Sequence, residues 1–351
     1  MTIVADAYTY VVGVDTHAAT HQFAVVAAAT GGVLDHREFP TSPAGLARAA
    51  QWIARRTQGL VDATLVSAEG TRSYGAQLAA VLTQVGYRVV DAPAPKRERG
   101  SDKNDRIDAV AAARGALPKP IDRLADARGG EIHAVLQTLL TARNAMTTER
   151  TRAVNALIAL LRTHALGIDA RRKPGRPVVR EIAAWRTRQE SVAVHTARVE
   201  AVRLARRVLA LDDEVKDNAR ALRAAVASTR PSLLELPGVG PVNAAIVLTA
   251  WSHPGRVRNR AAFAKLGGVC PLEISSGKRH EHRLNRSGDR QLNRALHCVT
   301  AIRMQHDKRT QTYVTRRTAE GLTRPRIRRC LKRYIANELY AHLNQTTLDK
   351  L

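Results

Sequence analysis

The sequence predicts an α/β domain followed by a helical middle region and a mostly α-helical C-terminal domain. Short apolar runs alternate with helical patterns up to about residue 118. Long helical stripes fill the middle of the chain, and shorter helical patterns begin at Pro231. At 351 residues the chain is too long for one core to serve all of it. We therefore divide it into 1–118, 119–229 and 230–351.

The order of the predicted strands indicates the fold of the first domain. Strands are predicted over 8–15, 21–29 and 33–39, with spacings short enough for antiparallel hairpins. The next elements are a helix over 42–57 capped by Ser42, a strand over 62–68, a helix over 73–85, a strand over 87–90 and a helix from Asp105. Three antiparallel strands followed by strand–helix alternation is the order of an RNase H-like (RuvC-like) domain. In that fold the first strand is central and pairs with the strand over 62–68.

Four acidic residues lie where such a fold brings them together. Asp15 closes the first strand and Glu69 closes the run 63–68, whereas Asp105 and Asp108 share one face at the start of a helix. Four crowded carboxylates repel one another unless divalent cations neutralise them. Two hard cations roughly 3.5–4 Å apart, held by oxygen ligands, are the usual engine of phosphodiester chemistry. The sequence therefore predicts a two-metal site for Mg²⁺ or Mn²⁺.

The charge balance predicts a polyanionic partner. Lys and Arg outnumber Asp and Glu by 56 to 31, which gives a formal net charge of +25. A globular chain with this much self-repulsion is best explained by binding to nucleic acid. No secretory signal and no apolar run of membrane-spanning length is found in the sequence, so we expect a cytoplasmic, nucleoid-associated protein without a membrane partner.

Two regions of the chain carry further signals of nucleic-acid binding. Helices predicted over 131–164 and 178–228 form a helical hairpin or short coiled coil with a basic loop at its tip. We interpret the cations of that loop as phosphate contacts, with a solvated turn as the alternative: Arg171, Arg172, Lys173 and Arg176. Near the C-terminus, Arg328 and Arg329 belong to a basic helix face opposite Ile327 and Leu331.

The segment Leu236-Pro-Gly-Val-Gly-Pro241 is typical of a helix-hairpin-helix turn. Gly238 and Gly240 would let the backbone approach a phosphate, and the following helix offers its N-terminal amides. A tight helix–helix connection without a ligand is the alternative.

Six segments together resemble the DEDD transposases of bacterial insertion sequences, of the insertion sequence 110 type. They are, in the order of that family, GVDTH at 13–17, SAEGT at 67–71, KNDRIDA at 103–109, LPGVGP at 236–241, LGGVCP at 266–271 and SSG at 275–277. The resemblance implies a RuvC-like nuclease domain joined to a helical transposase domain. It also implies a recombinase guided by a non-coding bridge RNA that pairs with donor and target double-stranded DNA. The implied assembly is a tetramer, a dimer of dimers.

The resemblance assigns roles to residues of this chain. Asp15, Glu69, Asp105 and Asp108 fall on the catalytic metal-binding acids, and Ser276 falls on the nucleophile that forms a phosphoserine link to DNA. Ser275, in the same loop, is an alternative nucleophile, whereas Ser287 is predicted to cap a helix. Cations that would surround the scissile phosphate are Lys278, Arg279, Arg286 and Arg290. His17 follows the first acid closely and has no assigned role.

Two other functions remain open from the sequence. A RuvC-like two-metal endonuclease, such as a junction resolvase, would hydrolyse DNA with water and use the C-terminal region only for binding. A binding scaffold with a decayed site would need no acids, and the presence of all four argues against it. A protein–DNA adduct that resists denaturation distinguishes the recombinase from the nuclease.

Overall fold

The protein is described by a computed structural model that covers residues 2–93, 105–276, 279–283, 285 and 287–344. For residues 105–106, 272–276 and 279–283 only the backbone is described. The chain forms two compact units, one of Met1–His133 with Trp251–Phe263, the other of Ala134–Ala250 with Ala264–Leu351. The division into 1–118, 119–229 and 230–351 stays a prediction.

The first unit contains a five-stranded mixed sheet. Its strands are β1 (Tyr10–Thr16), β2 (Thr20–Ala27), β3 (Val33–Pro40), β4 (Thr64–Ala68) and β5 (Arg88–Asp91). The strand order is β3-β2-β1-β4-β5. Strands β1, β2 and β3 pair antiparallel, whereas β4 runs parallel to both β1 and β5. This topology confirms the predicted RNase H-like fold, with β1 at its centre.

Helices cover both faces of this sheet. They are α1 (Val4–Ala7), α2 (Pro43–Arg56), α3 (Ala76–Val85) and α4 (Asp105–Ala116), with a 3₁₀ turn at Ile121–Arg123. The predicted cap of α2 is confirmed, because the Ser42 hydroxyl accepts a hydrogen bond from the Gly45 amide at 3.2 Å. Helix α3 ends at Gly86, whose φ of 108° is readily adopted only by glycine.

Side-chain alternation divides the sheet into two apolar faces. In β1, Val12 and Val14 pack in a core with Trp52 and Ile53 of α2, whereas Val11 packs on the opposite face with Ala113 of α4. Because successive side chains of a strand point to opposite faces, Gly13 and Asp15 share the face of Val11. Asp15 therefore lies on the α4 side of the sheet.

Helix α4 approaches β1 more closely than any side chain at residue 13 would permit. A Cβ built on Gly13 would lie 1.9 Å from the Ala109 carbonyl oxygen and 2.6 Å from the Ala113 nitrogen. On the neighbouring strand, the buried Ser67 hydroxyl donates to the Ala112 carbonyl at 2.8 Å. These two contacts fix α4 across β1 and β4.

A segment far along the chain completes this first unit. Ser252, with a φ of 71°, accepts a hydrogen bond from the Gly129 amide through its hydroxyl at 3.2 Å. Arg256 donates through Nε to the Asp126 carbonyl at 2.9 Å. Arg258 pairs with Asp122 at 3.3 Å. The sequence analysis placed the whole of 230–351 in one domain and gave no sign of this association.

The remaining elements are mostly helices, with one small hairpin. The helices are α5 (Glu131–Thr163), α6 (Arg176–Ala183), α7 (Val192–Thr229), α8 (Ser232–Glu235), α9 (Pro241–Trp251), α10 (Arg260–Leu266), α11 (Arg290–His306), α12 (Lys308–Ala319) and α13 (Arg324–Asn344). The hairpin strands are β6 (Leu272–Ser276) and β7 (Arg279–Arg283). The predicted apolar stripe of α5 is buried at Leu136, Leu140, Leu157 and Leu161. No helix in the described residues is long and apolar enough to span a membrane.

The prediction of one helix over 178–228 was wrong, because the structure has α6 and α7 with a connection between them. Arg198 of α7 contacts both ends of that connection. Its guanidinium lies 4.7 Å from the Trp185 ring centroid and bonds the Glu190 carboxylate at 2.8 Å. Ser191 then caps α7 by accepting from the Val194 amide.

Substitution of Gly13 by alanine tests the docking of α4. We expect the added Cβ to force α4 away from β1, at a cost of about 1–3 kcal/mol in the free energy of unfolding. Urea denaturation of the full-length protein measures this change. Gly115→Ala is the matched control in the same helix, because the nearest atom to its Cβ lies at 3.9 Å. That variant should gain roughly 0.5–1 kcal/mol. Equal stability of Gly13→Ala and wild type would contradict the close contact.

Candidate active site and nucleic-acid interface

The sheet register brings the first two acids together. Val14 of β1 pairs with Ala68 of β4, so Asp15 and Glu69 follow adjacent strands at the same edge. The Glu69 amide donates to the Val14 carbonyl at 2.9 Å, which extends the ladder by one residue. In β4, Ser67 faces α4, so alternation also directs Glu69 to that side. Asp15 is 6% exposed and Glu69 is half-buried.

Helix α4 contributes the other two acids. Its Ala109 lies against Gly13, and its C-terminal Ala113 and Ala116 pack with Val11. The helix therefore runs antiparallel to β1, and its N-terminal turn lies towards the edge that carries Asp15. Asp108 belongs to that turn and is half-buried. Asp105 is the first residue of α4, and its side chain is outside the described part of the structure.

His17 contacts the first acid directly. Its Nε2 lies 3.0 Å from Oδ2 of Asp15, and its side chain is 47% exposed. Thr16 links the two strand ends, since its hydroxyl donates to the Glu69 carbonyl at 3.1 Å. The sequence analysis gave His17 no role. The structure makes it a hydrogen-bond partner that orients the Asp15 carboxylate.

The chemistry of the acids suits hard divalent cations. Aspartate and glutamate oxygens are the ligands that Mg²⁺ and Mn²⁺ prefer. Among the side chains that the structure describes, no three His, Cys, Asp or Glu residues are arranged as a metal-binding group. The described side chains of Asp15, Glu69 and Asp108 thus do not form a metal-binding group without Asp105, whose side chain is outside the described part. The predicted set of four acids fits a divalent cation by the chemistry of its oxygen ligands.

A fifth acid at the same edge was missed in the sequence. Asp91 ends β5 and pairs in register with Ala68. Val90 packs on the α4 face, so alternation sends Asp91 to the opposite face. There its carboxylate accepts from the Thr71 hydroxyl and pairs with Arg256 at 3.5 Å. The rule that selected Asp15 and Glu69, an acid directly after an apolar strand, would also have found Asp91.

The candidate nucleophile lies in a strand of the second unit. Ser276 is the last residue of β6, and its backbone is paired with Arg279 of β7. Ser275 is paired with His280 in the same hairpin. The prediction of a loop at this position was therefore wrong. Gly277, Lys278 and Arg286 lie outside the described residues, and the side chains of Ser276 and Arg279 are not described.

Close backbone contacts support the base of this hairpin. A Cβ on Gly268 would lie 2.7 Å from the Ser287 carbonyl oxygen, and one on Gly288 would lie 2.5 Å from that of Leu266. Asn293 donates to the Gly267 carbonyl and accepts from the Lys332 ammonium, both at 2.7 Å. Sequence reasoning missed Asn293, because its role depends on a contact between distant segments.

Ser287 does not cap a helix, contrary to the prediction. Asp289 caps α11, since its carboxylate accepts from the amides of Gln291 and Leu292 at 2.9 and 3.0 Å. The Ser287 hydroxyl instead donates to the Asn285 side-chain oxygen at 2.6 Å. Asn285 is 5% exposed and holds a local turn.

Helices α11 and α13 carry a concentration of positive charge. Arg290 and Arg329 are exposed, whereas Arg328 is half-buried. The predicted apolar face of α13 is buried, with Ile327 fully covered and Leu331 6% exposed. Burial, followed by the nearby charge of Arg328, lowers the pKa of Lys332. Burial, the larger cause, disfavours the charged ammonium, and the neighbouring guanidinium adds a smaller repulsion.

The cations of the basic loop at 171–176 fall into two classes, those with a carboxylate partner and those without one in the described residues. All four of its cations are exposed. Arg171 pairs with Asp169 at 2.7 Å, and Arg176 pairs with Asp213 at 3.0 Å. No carboxylate partner of Arg172 or Lys173 is found in the described part of the chain.

The two glycines of the helix-hairpin-helix-like turn differ in their surroundings. Gly238 has a φ of 75°, and its Cβ would lie 3.2 Å from the Val299 carbonyl oxygen of α11. Packing against α11 therefore already requires glycine there. A Cβ on Gly240 would meet no atom within 4 Å. A phosphate contact at this turn stays a prediction.

Comparison with known proteins identifies the family. A model described as the transposase IS116/IS110/IS902 family matches residues 230–315, which include Ser276. A second transposase model, of DEDD enzymes of the IS110 type, matches residues 12–165, which include all four acids. An uncharacterized 43.6 kDa protein of insertion element IS110 from Streptomyces coelicolor is 32% identical over 118 residues. That alignment covers 33% of this chain and 29% of the relative.

An RNase H-like sheet joined to a largely helical remainder, with a transposase model matching each part, defines the class of DEDD transposases. The chain belongs to the IS110/IS116/IS902 family within that class, with a DEDD N-terminal domain and the family's C-terminal transposase domain. This confirms the resemblance seen in the sequence. A DEDD nuclease domain implies the use of divalent metal.

Removal of single acids tests the metal site. We expect Mg²⁺ or Mn²⁺ to raise the Tm of the wild type. At a metal concentration of 100 times the Kd, binding adds about 2.7 kcal/mol to the free energy of unfolding. Asp15→Asn, Glu69→Gln and Asp108→Asn should each remove that rise, because each deletes one anionic ligand. Thermal melting with and without metal measures it. Asp91→Asn is the matched control, since that acid lies on the other face and should leave the rise intact.

The salt dependence of DNA binding tests the basic loop. Replacing Arg172 and Lys173 together by alanine should lower the slope of log Kd against log salt by about 0.9 for each lost duplex phosphate contact. Arg171→Ala with Arg176→Ala removes the same charge, but those cations are partly offset by Asp169 and Asp213. The second pair should therefore change the slope less. Equal slopes for both pairs would mean that only total charge matters.

Proposed function

We propose that the protein is an RNA-guided DNA recombinase of an insertion sequence. It cuts donor and target DNA and rejoins the strands through a covalent link to Ser276, with divalent-metal assistance at Asp15, Glu69, Asp105 and Asp108. The observation that supports the proposal is the register of β1 and β4, which puts Asp15 and Glu69 on adjacent strands, on the face of the sheet that α4 covers. The two matches to transposase families support it from both parts of the chain.

The covalent step conserves the phosphodiester bond. The Ser276 hydroxyl oxygen forms a bond to phosphorus as the bond between phosphorus and the deoxyribose oxygen breaks. The serine proton passes to a base, and the departing sugar oxygen takes up a proton. In the reverse step, a strand hydroxyl attacks the phosphoserine, so a new strand is joined and the serine is restored. No external energy source is needed, because one phosphodiester replaces another.

The residues of the first unit provide the electrostatic part of this chemistry. Divalent cations, when bound, withdraw charge from the phosphate and lower the pKa of an attacking hydroxyl. Asp15 and Glu69 would hold them from adjacent strands, and Asp105 and Asp108 from the first turn of α4. His17 keeps the Asp15 carboxylate oriented through the 3.0 Å contact. Thr16 restrains Glu69 through its main-chain carbonyl.

The partners follow from the same proposal. A non-coding bridge RNA would select donor and target DNA by base pairing, and the protein would act as a tetramer. The net charge of +25 supports binding to such polyanions. The exposed cations of the basic loop and of α13 are the contacts that we propose for their phosphates.

Trapping of a covalent adduct tests the role of Ser276. Wild-type protein incubated with guide RNA, DNA and Mg²⁺ should give a protein–DNA adduct that survives denaturing electrophoresis. Ser276→Ala should bind RNA and metal normally, yet form no adduct and no joined product, a loss of at least about a thousandfold. Ser275→Ala and Ser287→Ala are the controls. The backbone at Ser275 pairs elsewhere in the ladder, and Ser287 serves a turn.

The pattern of adducts also decides between the alternatives. An adduct lost only in Ser275→Ala would move the nucleophile by one residue. Cleavage without any adduct in the wild type would contradict the serine mechanism and favour the hydrolytic RuvC-like endonuclease. Activity with DNA that is independent of added RNA would contradict guidance while leaving the serine chemistry in place.

A further inference from the structure

An exposed loop follows Glu69 directly and has no role in the proposed function. It comprises residues Gly70 to Gly75, between β4 and α3, and is called the 70–75 loop below. Arg72, Ser73 and Tyr74 are exposed one after another, and Tyr74 is 61% exposed. Aromatic residues make up only 4% of this chain, and most of the large ones pack in cores. Tyr74 thus presents its ring to solvent five residues after Glu69, a candidate catalytic acid.

The backbone of the 70–75 loop is firmly held. Thr71 is 4% exposed, and its hydroxyl donates to the Asp91 carboxylate. Gly70 has a φ of 56°, and a Cβ there would lie 2.6 Å from the Thr16 hydroxyl oxygen. The Gly75 amide donates to the Gly70 carbonyl at 3.0 Å, which closes the loop on itself. The exposed side chains thus project from a fixed platform, as a binding site requires.

The loop also borders an open cavity of about 530 Å³. Its polar lining consists of Glu69, Thr71, Arg72, Ser73 and Asp91. A cavity of this size accommodates a small ligand or one unit of a larger one. The hydroxyls and the guanidinium of this lining are groups that bind an anion. The carboxylates of the lining belong to the acid edge.

Positive charge is concentrated around this cavity. Arg256, whose side chain is 7% exposed, pairs with Asp91 at its margin. Burial, together with the neighbouring charges of Arg128 and Arg72 and against the opposite effects of Asp91 and Asp126, lowers the pKa of Arg256 to about 10. Guanidinium groups bind phosphate through charge-assisted hydrogen bonds, and Arg72 is the one that lines the cavity with an exposed side chain.

We propose that the 70–75 loop binds an unpaired nucleotide of the strand that lies at the acid edge. Arg72 contacts the phosphate of this nucleotide, and the ring of Tyr74 stacks on its base. Stacking accepts any base, because every base has a π-face, so the loop would position a strand without reading its sequence. The inference deepens the proposed function and rests on it only for the identity of the strand. RNA and DNA share this chemistry, and the experiment separates them.

Binding of short single strands to the full-length protein tests the stacking contact. Oligothymidylate and oligouridylate are titrated in buffer with EDTA, so that no cleavage takes place. Tyr74→Ala should weaken binding about tenfold, whereas Tyr74→Phe should stay within about twofold of wild type because it keeps the ring. Leu34→Ala is the control in the same unit, since Leu34 is also exposed, at 54%. Dependence on Tyr74 for only one of the two oligonucleotides identifies the strand.

The phosphate contact is tested by the salt dependence of the same binding. Arg72→Ala should lower the slope against log salt by about 0.7, the value for one phosphate of a single strand. Arg72→Lys should keep the slope, and Arg55→Ala, an exposed arginine on α2, should not change it. Equal affinities for Tyr74→Ala and Leu34→Ala, or a slope unchanged by Arg72→Ala, would overturn the inference. Thermal melting of each variant verifies that it is folded. Because these assays need no catalysis, they succeed or fail independently of the Ser276 adduct.

Discussion

The contact of α4 with β1 at Gly13 is the constraint on which the candidate active site depends. The absent Cβ allows the Ala109 carbonyl to lie where a side chain would otherwise be. The Ser67 hydroxyl adds a second attachment on β4 through Ala112. One close approach thereby covers an apolar face of the sheet and fixes the N-terminal turn of α4 at the edge with Asp15. The core and the site cannot be altered separately here, because the same helix serves both.

Strand alternation decides which acids at this edge can act together. Asp15, Glu69 and Asp91 lie at the C-terminal ends of three neighbouring parallel strands, Asp15 and Asp91 within β1 and β5 and Glu69 directly after β4. Asp15 and Glu69 project to the α4 face, whereas Asp91 projects to the other. Because side chains alternate between the two faces, a shift of one residue along a strand decides whether an acid is a candidate metal ligand or a structural group. On its own face, Asp91 joins Thr71 and Arg256, and so ties the 70–75 loop and the segment 251–263 to the sheet.

The sequence was sufficient for features that depend on local rules. Short apolar runs predicted the five strands, and the RNase H-like fold that they indicated put β1 beside β4, with Asp15 and Glu69 at their ends. The cap at Ser42 was also local. Features that depend on distant partners were not predicted. The connection before α7 is held by Arg198 through Trp185 and Glu190, and β7 (Arg279–Arg283) contains no apolar residue that would mark it as a strand.

The association of 251–263 with the first unit also depends on distant partners and was not predicted from the sequence. Nothing in the composition of that segment distinguishes it from its neighbours, because it contacts Gly129, Asp126 and Asp122 through side chains from a distant part of the chain.

These contacts also use arginines that the net charge of +25 counts as available to nucleic acid. Arg198 and Arg256 are nearly buried and serve the fold, whereas Arg172 is exposed. The electrostatic surface that a nucleic acid meets is therefore set by which cations the fold leaves unpaired, and the formal charge is only its upper limit.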